Sequence, residues 1–417
     1  MAGDGWSMRP LASDVVAAYA ARCAGESVSW PGLPVSYVDY ALWQRDVLGD
    51  PADPGSVFGR QLAFWESALS GVPERVSLPL DRPRPVVGSF AGAVVPVVVP
   101  EAVFGRVSSA ARAAGVTVFM VLQAGLAAVL ARLGAGSDVV VGSGVAGRRD
   151  ESLDDLVGFF VNTVVVRTDV SGDPSFGELL ARVRESSLAA FDHQDVPFEL
   201  VVERLNPVRS AGVHPLFQVA LVVQNAEVGR FDLPGLSVAA EPVDTGTSKF
   251  DVTISVAEVF DDEGVAVGLR GFVEYATDLF DQSTVEAFVQ RWLAVLDAGA
   301  ADLGVRVSEL PILVDSEHER LLHLASSTPH ARELTPAAAE ATVLDLVAGW
   351  DATLPAVAGA DGRLSYGELW AESGRVAGWL RSLGVNRGDI VGVVCEPSAT
   401  GIAVLLGVWR AGAAFCP

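Results

Sequence analysis

Histidine is scarce in this chain. Five occur among 417 residues, at His193, His214, His318, His323 and His330, so any imidazole chemistry must draw on those positions. Cysteine is scarcer still. Cys23, Cys395 and Cys416 lie far apart and make no metal-ligand spacing, which excludes a disulfide scaffold or a cysteine-built metal site and sets a reduced, cytoplasmic location as the expectation. Charged residues are only 19% of the chain, and 29 Lys+Arg face 52 Asp+Glu, for a formal charge of -23. Such a surface repels phosphate backbones and argues against nucleic acid as a partner. The start shows no basic segment followed by an apolar one, so no signal peptide is expected. The most apolar stretch, residues 117–133, carries Gln123 and Arg132 and is a little short for a span, so it reads as a buried helix and no membrane partner is expected.

Half of the residues are apolar, and the length suits two or three domains. Residues 9–70 read as helices, with candidates at 11–21, 37–48 and 58–69. A proline-rich run, Leu78-Pro79-Leu80-Asp81-Arg82-Pro83-Arg84-Pro85, follows as an extended connector. Beyond it strands and helices mix. Strands are expected at 93–99 (pushed to an edge by Pro96), 138–141, 160–169, 216–224, 250–258 and 265–275, and helices at 101–114, 117–133, 176–190 and 282–298. The pattern predicts an α/β (α+β) two-layer sandwich. Residues 305–342, polar and rich in Pro, Ser, Thr and Ala, read as a linker. From 343 a second composition begins, with a β-α-β-α order ending at Pro417.

The informative motifs come in order. Asp4-Gly5-Trp6-Ser7 opens the chain. Tyr37-Val38-Asp39-Tyr40-Ala41-Leu42-Trp43 follows, then Gly158-Phe159-Phe160-Val161-Asn162-Thr163 with Arg167, then His193-Gln194-Asp195-Val196-Pro197-Phe198-Glu199, and lastly His214-Pro215-Leu216-Phe217-Gln218. In that order and spacing they resemble the condensation domains of nonribosomal peptide synthetases, whose His-His-x-x-x-Asp-Gly motif ends where this chain starts. Leu364-Ser365-Tyr366-Gly367-Glu368-Leu369 and Trp409-Arg410-Ala411-Gly412-Ala413-Ala414-Phe415-Cys416-Pro417 are similar to the beginning of an adenylation domain.

The resemblance implies a chloramphenicol acetyltransferase-like fold of two lobes enclosing a tunnel. Residues 1–86 would then be the remnant of the first lobe, 87–304 the second lobe, 305–342 a linker and 343–417 an incomplete α/β adenylation segment. It implies peptide-bond formation between two aminoacyl or peptidyl thioesters carried on the 4'-phosphopantetheine arms of partner carrier domains, within a larger set of synthetase modules. The family's second motif histidine, next to the attacking amine, would precede Met1. No catalytic residue is then expected here, and the chain alone is expected to be inactive, leaving Asp4, Gly5 and Trp6 of the motif. Asp4 would hold its loop by pairing with an arginine, with Arg167 the candidate by motif position. Tyr37, Asp39, Trp43, Asn162, Thr163, Arg167, His193, Gln194 and Asp195 are expected as structural or tunnel-lining residues. For Asn162 both a satisfied interior amide and a tunnel wall remain open. Without most of the first lobe, helices 9–70 are expected to have no sheet to cover. No cofactor or metal is expected on this chain, since ATP and Mg belong to a complete adenylation domain. The alternative is a non-catalytic module that docks a carrier or another partner.

One run points elsewhere. Gly142-Ser143-Gly144-Val145-Ala146-Gly147 spells the dinucleotide-binding Gly-x-Gly-x-x-Gly pattern after a strand. The residues after it are charged and lack the apolar face of a phosphate-capping helix, so it is expected to be a loop leading to the Asn162 strand.

Overall fold

The computed structural model describes residues 3–207, 210–224, 232–233, 236–237, 243–261, 263–326, 341–359 and 361–417. They form two compact units, 1–320 and 321–417. His330 lies outside the described residues.

The first unit opens with three helices, α1 (Met8–Cys23), α2 (Tyr37–Leu48) and α3 (Val57–Ala68). Ser36 starts α2 with a reciprocal capping box to Asp39, and Ser56 caps α3 by accepting from the Gly59 N–H. The extended connector leads to β1 (Gly92–Val99), then α4 (Glu101–Ala114), α5 (Val118–Leu130), β2 (Asp138–Val145), β3 (Asn162–Asp169), α6 (Phe176–Asp192), α7 (Phe198–Leu205), β4 (Val219–Gln224), β5 (Val252–Phe260), β6 (Ala266–Ala276) and α8 (Gln282–Ala301).

The six strands make one mixed sheet in the order β1-β6-β5-β4-β2-β3. Strands β4 and β5 run parallel, as do β2 and β4, whose pairing is Gly142 opposite Ala220. Pro96, which cannot donate to a ladder, sits on the edge strand β1, as expected. Alternation sorts the side chains between two faces. Val139 and Val141 of β2, Leu221 of β4 and Ile254 of β5 meet α4, α5, α6 and α8 in the main core. By length and composition α5 with the turn after it could cross a membrane, but every residue from Met120 to Leu130 is buried in this core.

The opposite face overturns one expectation. Leu48, Phe58, Trp65 and Leu69 pack with Val140, Val165, Phe217 and Ala220 in a second core. The helices expected to have no sheet to cover therefore cover this one: the apolar side of α3 buries Phe58, Gln61 and Trp65. Helix α1 does not share in this. Of its residues only Pro10 is buried.

The expected linker also starts later than composition suggested. Val307 and Leu310 are buried in the main core, and Arg132 donates to the Val307 carbonyl at 2.9 Å. A further helix, α9 (Asp315–Ser326), follows, with Glu317 paired to Arg291 of α8. Residues 327–340 of the expected linker lie outside the described residues.

The second unit contains α10 (Val343–Ala348), a hairpin of β7 (Pro355–Gly359) and β8 (Gly362–Ser365), α11 (Tyr366–Ser382), β9 (Ile390–Gly392), α12 (Ala399–Ala411) and β10 (Ala414–Cys416). Strands β9 and β10 pair in parallel. Ser365 forms a capping box with Glu368 at the head of α11, so part of the family-like Leu-Ser-Tyr-x-Glu-Leu run is a helix-start signal.

Candidate active-site scaffold

The turn at Asp4 is tied to the segment before β3 by two short side chains. Asp4 Oδ2 accepts from the N–H of Phe160 at 2.9 Å and of Val161 at 3.3 Å. Asp4 Oδ1 accepts from the Ser7 N–H at 3.0 Å. The Ser7 hydroxyl lies 2.8 Å from both Asp4 Oδ1 and the Gly158 carbonyl, and accepts from the Gly158 N–H at 3.1 Å. Arg148, in the loop after β2, completes the cluster with Nη2 3.3 Å from Asp4 Oδ1 and 3.1 Å from Ser7 Oγ. The Asp4 and Arg148 side chains are each 2% exposed. Burial pushes the Asp4 carboxyl upward. The bonds from Phe160 and Ser7 and the charge of Arg148 outweigh it and hold the group below its ordinary value.

The expected pair of Asp4 with Arg167 is corrected here. Arg167 grips Asp138 across the β2–β3 ladder, with Nε 2.9 Å from Oδ1 and Nη2 2.7 Å from Oδ2, and donates to the carbonyls of Ala68 and Ser70 at the end of α3. The reason is distance along the strand. Asp4 binds at Phe160 and Val161, and six further residues of extended chain carry Arg167 roughly 20 Å away. Its hydrogen bonds to Asp138 raise the Arg167 pKa, so it serves as a brace between α3 and the sheet edge.

Aromatic rings back the cluster. The Arg148 guanidinium lies 4.1 Å from the centre of the Phe160 ring. Phe160 meets Tyr37 edge-on at 5.2 Å and Tyr40 at 4.6 Å. The Tyr37 hydroxyl donates to the Phe159 carbonyl at 2.8 Å. Gly158 is required here, because a Cβ would stand 2.3 Å from the Tyr37 ring. Asp39 caps α2, and Trp43 packs on Tyr40 at 6.0 Å with 58% of its surface exposed. Trp6 is half-buried beside the Asp4 turn.

The His193 run forms a joint. Asn162 donates to the carbonyls of Gln194 at 2.7 Å and Val196 at 2.8 Å, and its Oδ1 accepts from the N–H of Thr163 and Phe198. All of its hydrogen-bonding capacity is used, so it is a satisfied amide. Gln61 of α3 donates to Asp195 Oδ2 at 2.7 Å and accepts from the N–H of Asp195 and Val196. His193 lies flat on Phe64 at 3.8 Å, its Nδ1 is 2.8 Å from the Ala189 carbonyl, and its own carbonyl accepts from Trp65 Nε1. His193, Gln194, Asp195 and Asn162 are therefore brought together as a clasp between α3, α6, α7 and β3. They are not brought to Asp4. Arg149 reaches Asp195 at 3.4 Å across a cleft of about 640 Å³ beside α2.

The glycine-rich decoy is part of the sheet. Gly142 lies inside β2 where a Cβ would meet the Phe217 ring at 2.2 Å, and Gly147 has a φ of +69° against the Phe160 carbonyl. Only a three-residue 3-10 turn, Glu151–Leu153, lies between it and β3. Among the described residues no cluster of His, Cys, Asp and Glu could hold a metal ion, and all three cysteines are free and exposed. Sequence reasoning missed Arg148, Gln61 and the role of Ser7. Arg148 directly follows the glycine-rich run, and no local pattern there signals a partner at Asp4.

Taken together, the cluster can fix a turn and a backbone path. Its hydroxyl, Ser7, and its carboxylate, Asp4, are committed to each other and to the backbone of residues 158–161. Residues 2–322 match the family described as condensation domain, and residues 347–417 match the AMP-binding enzyme family. The chain belongs to the condensation-domain family. It is 42% identical over its whole length to a dimodular nonribosomal peptide synthase of Bacillus subtilis and 43% identical to an isonitrile lipopeptide synthase of Mycobacterium tuberculosis, and it spans 17% of each. Among solved structures, the X-domain from teicoplanin biosynthesis superposes with a TM-score of 0.69 at 35% identity, over 75% of this chain and 70% of that one. A four-domain nonribosomal peptide synthetase bound to AMP and glycine matches with a TM-score of 0.68 at 26% identity, over 99% of this chain and 31% of that one. The first unit is thus a condensation lobe of the chloramphenicol acetyltransferase-like kind. It is followed by the start of an AMP-binding domain.

Proposed function

We propose that this chain is the portion of a nonribosomal peptide synthetase in which a condensation domain joins two carrier-bound aminoacyl or peptidyl thioesters through an amide bond. The amine of one attacks the thioester carbonyl of the other, and the thiol of the second phosphopantetheine arm leaves. The observation that carries this reading is the buried Asp4–Ser7–Arg148 cluster. It holds the Asp-Gly turn of the family motif rigidly against residues 158–161, and a pre-positioned turn is what a reaction governed by proximity requires. The role of these residues is to hold geometry. His193 and His214 are engaged with the Ala189 and Phe217 carbonyls and make no contact with Asp4. We therefore expect no turnover from the 417 residues alone.

Carrier domains and neighbouring synthetase modules are the expected partners, in a cytoplasmic setting. Residues 343–417 include no Ser/Thr/Gly-rich phosphate loop, so no step is assigned to ATP or Mg in this chain. The test is incubation with two carriers loaded with different aminoacyl groups, read by mass spectrometry of the carrier arms. A dipeptidyl arm formed by this chain alone would overturn the expected inactivity.

A second reading is a docking module without catalysis. One observation favours it: the X-domain of teicoplanin biosynthesis, similar at 36% identity, forms a complex with OxyB. Saturable binding of a carrier or partner protein without any product formation would decide for this reading.

A further inference from the structure

The chain has twenty-eight arginines and a single lysine, Lys249. An ammonium is a compact point charge, whereas a guanidinium is a wide planar fork, so the two are not equivalent in a small pocket. Lys249 lies just before β5 on the wall of a half-open pocket of about 280 Å³, which it shares with His214, Phe90, Pro215 and Phe250. Its ammonium lies 5.7 Å from the centre of the Phe250 ring, and among the described residues it makes no ion pair. The pocket's other cation is already matched: Arg84 Nη1 donates to Asp251 Oδ1 at 2.8 Å and to the Gly212 carbonyl at 3.0 Å. Most of the lining is apolar. Asp278, the remaining carboxylate, accepts from the Ser89 N–H.

His214 forms part of the wall. Its ring packs against Phe217 at 4.7 Å and edge-on to Phe250 at 4.6 Å, and Nδ1 lies 3.1 Å from the Phe217 carbonyl. With Nδ1 so occupied, Nε2 is the ring's remaining polar atom. The pocket is separate from the Asp4 cluster. His214 and Lys249 precede the N-terminal ends of the parallel strands β4 and β5, whereas the Asp4 cluster lies beside the far end of β2, where Val145 pairs with Asn162.

We propose that this pocket binds a small organic carboxylate, with the carboxylate on Lys249 beside the His214 imidazole and the apolar body against Phe250, Phe90 and Pro215. Charge attracts the head group, and the apolar lining selects against a bare inorganic anion. Binding is coupled to proton uptake. Burial, chiefly, holds the imidazole below its ordinary value, with Lys249 adding to this and the Phe217 carbonyl and Asp251 opposing it. A carboxylate placed between ring and ammonium offsets the Lys249 charge and favours the imidazolium. Lys249 and Asp251 are the charges that act on the ring; Arg84 and Asp278 share its pocket, and Glu66, Glu74 and Arg204 line a second pocket that His214 also borders.

Benzoate titrated into the 417-residue chain tests the proposal, read by the His214 ring protons in NMR. Saturable shifts are expected, with the imidazole titrating at higher pH when ligand is bound. Lys249→Met should weaken binding at least tenfold and leave the melting temperature unchanged, because the side chain is exposed. Acetate, which has the charge without the apolar body, should bind at least tenfold more weakly than benzoate. Absence of saturable shifts at His214, equal binding by the Lys249→Met variant, or equal affinity for acetate and benzoate would each overturn it. None of these readouts depends on peptide-bond formation.

Discussion

Removing the Asp4 carboxylate is the sharpest probe of this architecture. Asp4→Ala strips acceptors from the N–H groups of Phe160, Val161 and Ser7, and leaves Arg148, 2% exposed, without a counter-charge. Breaking a buried ion pair by deleting one partner costs about 3–5 kcal/mol. Arg148 keeps its contacts with Ser7 Oγ and the Phe160 ring, so the loss should fall at the low end, about 3 kcal/mol. Amide hydrogen exchange is the assay of choice, because it reads residues 158–161 directly. In Asp4→Ala those amides should lose roughly a hundredfold of protection, about what 3 kcal/mol implies if opening is local. Arg148→Met should move the same amides less, since the carboxylate keeps its backbone donors. The double variant should lose less than the sum of the two single losses.

Arg167→Met is the control. It should loosen the end of α3 and leave residues 158–161 unchanged. Acid adds a second readout. The Asp4 carboxyl is held below its ordinary value in the fold, so its stabilising contribution is full above the unfolded value, about 3.9, and is lost as pH falls through the lower folded value. Asp4→Asn should flatten that acid limb. Unchanged protection at 158–161 in Asp4→Ala, or loss there in Arg167→Met, would refute the assignment of Arg148 as the partner.

Two further substitutions test the surroundings. Asn162→Ala leaves the carbonyls of Gln194 and Val196 and the Phe198 N–H without their partner. It should cost about 1–3 kcal/mol in chemical denaturation, and a neutral result would mean that water replaces the amide. Gly142→Ala drives a methyl into the Phe217 ring and should destabilise by about 1–3 kcal/mol through overpacking. If instead the variant gained nucleotide affinity or kept full stability, the reading of this run as packed strand would be wrong.

Much of the fold was legible because its signals are local. The 3.6-residue period marked α4, α6 and α8, and valine runs marked β1, β2 and β3. Proline placed β1 at an edge. The family motifs were legible because their residue types and order are rare in combination. At the start of the expected linker the apolar residues Val305, Val307, Leu310, Ile312, Leu313 and Val314 are broken up by Arg306, Ser308, Glu309 and Pro311, so no helix or strand period marks Val307 and Leu310 as core.

What the sequence by itself determined is which segments become helix or strand, and that the motifs of one family are present in order. What only the tertiary structure decided is who meets whom. Arg148 and Arg167 are both arginines beside β3, and nothing local separates them. Asp4 reaches the first because the loop after β2 folds back over Phe160, while strand extension carries the second to Asp138. Likewise α3 covers the outer face of the sheet because Gln61 and Trp65 find backbone partners in the turn after α6. The Asp4–Arg148, Gln61–Asp195 and Trp65–His193 pairings join groups more than a hundred residues apart. Chain periodicity carries no record of them, since they follow from packing and from the need of every buried polar group for a partner.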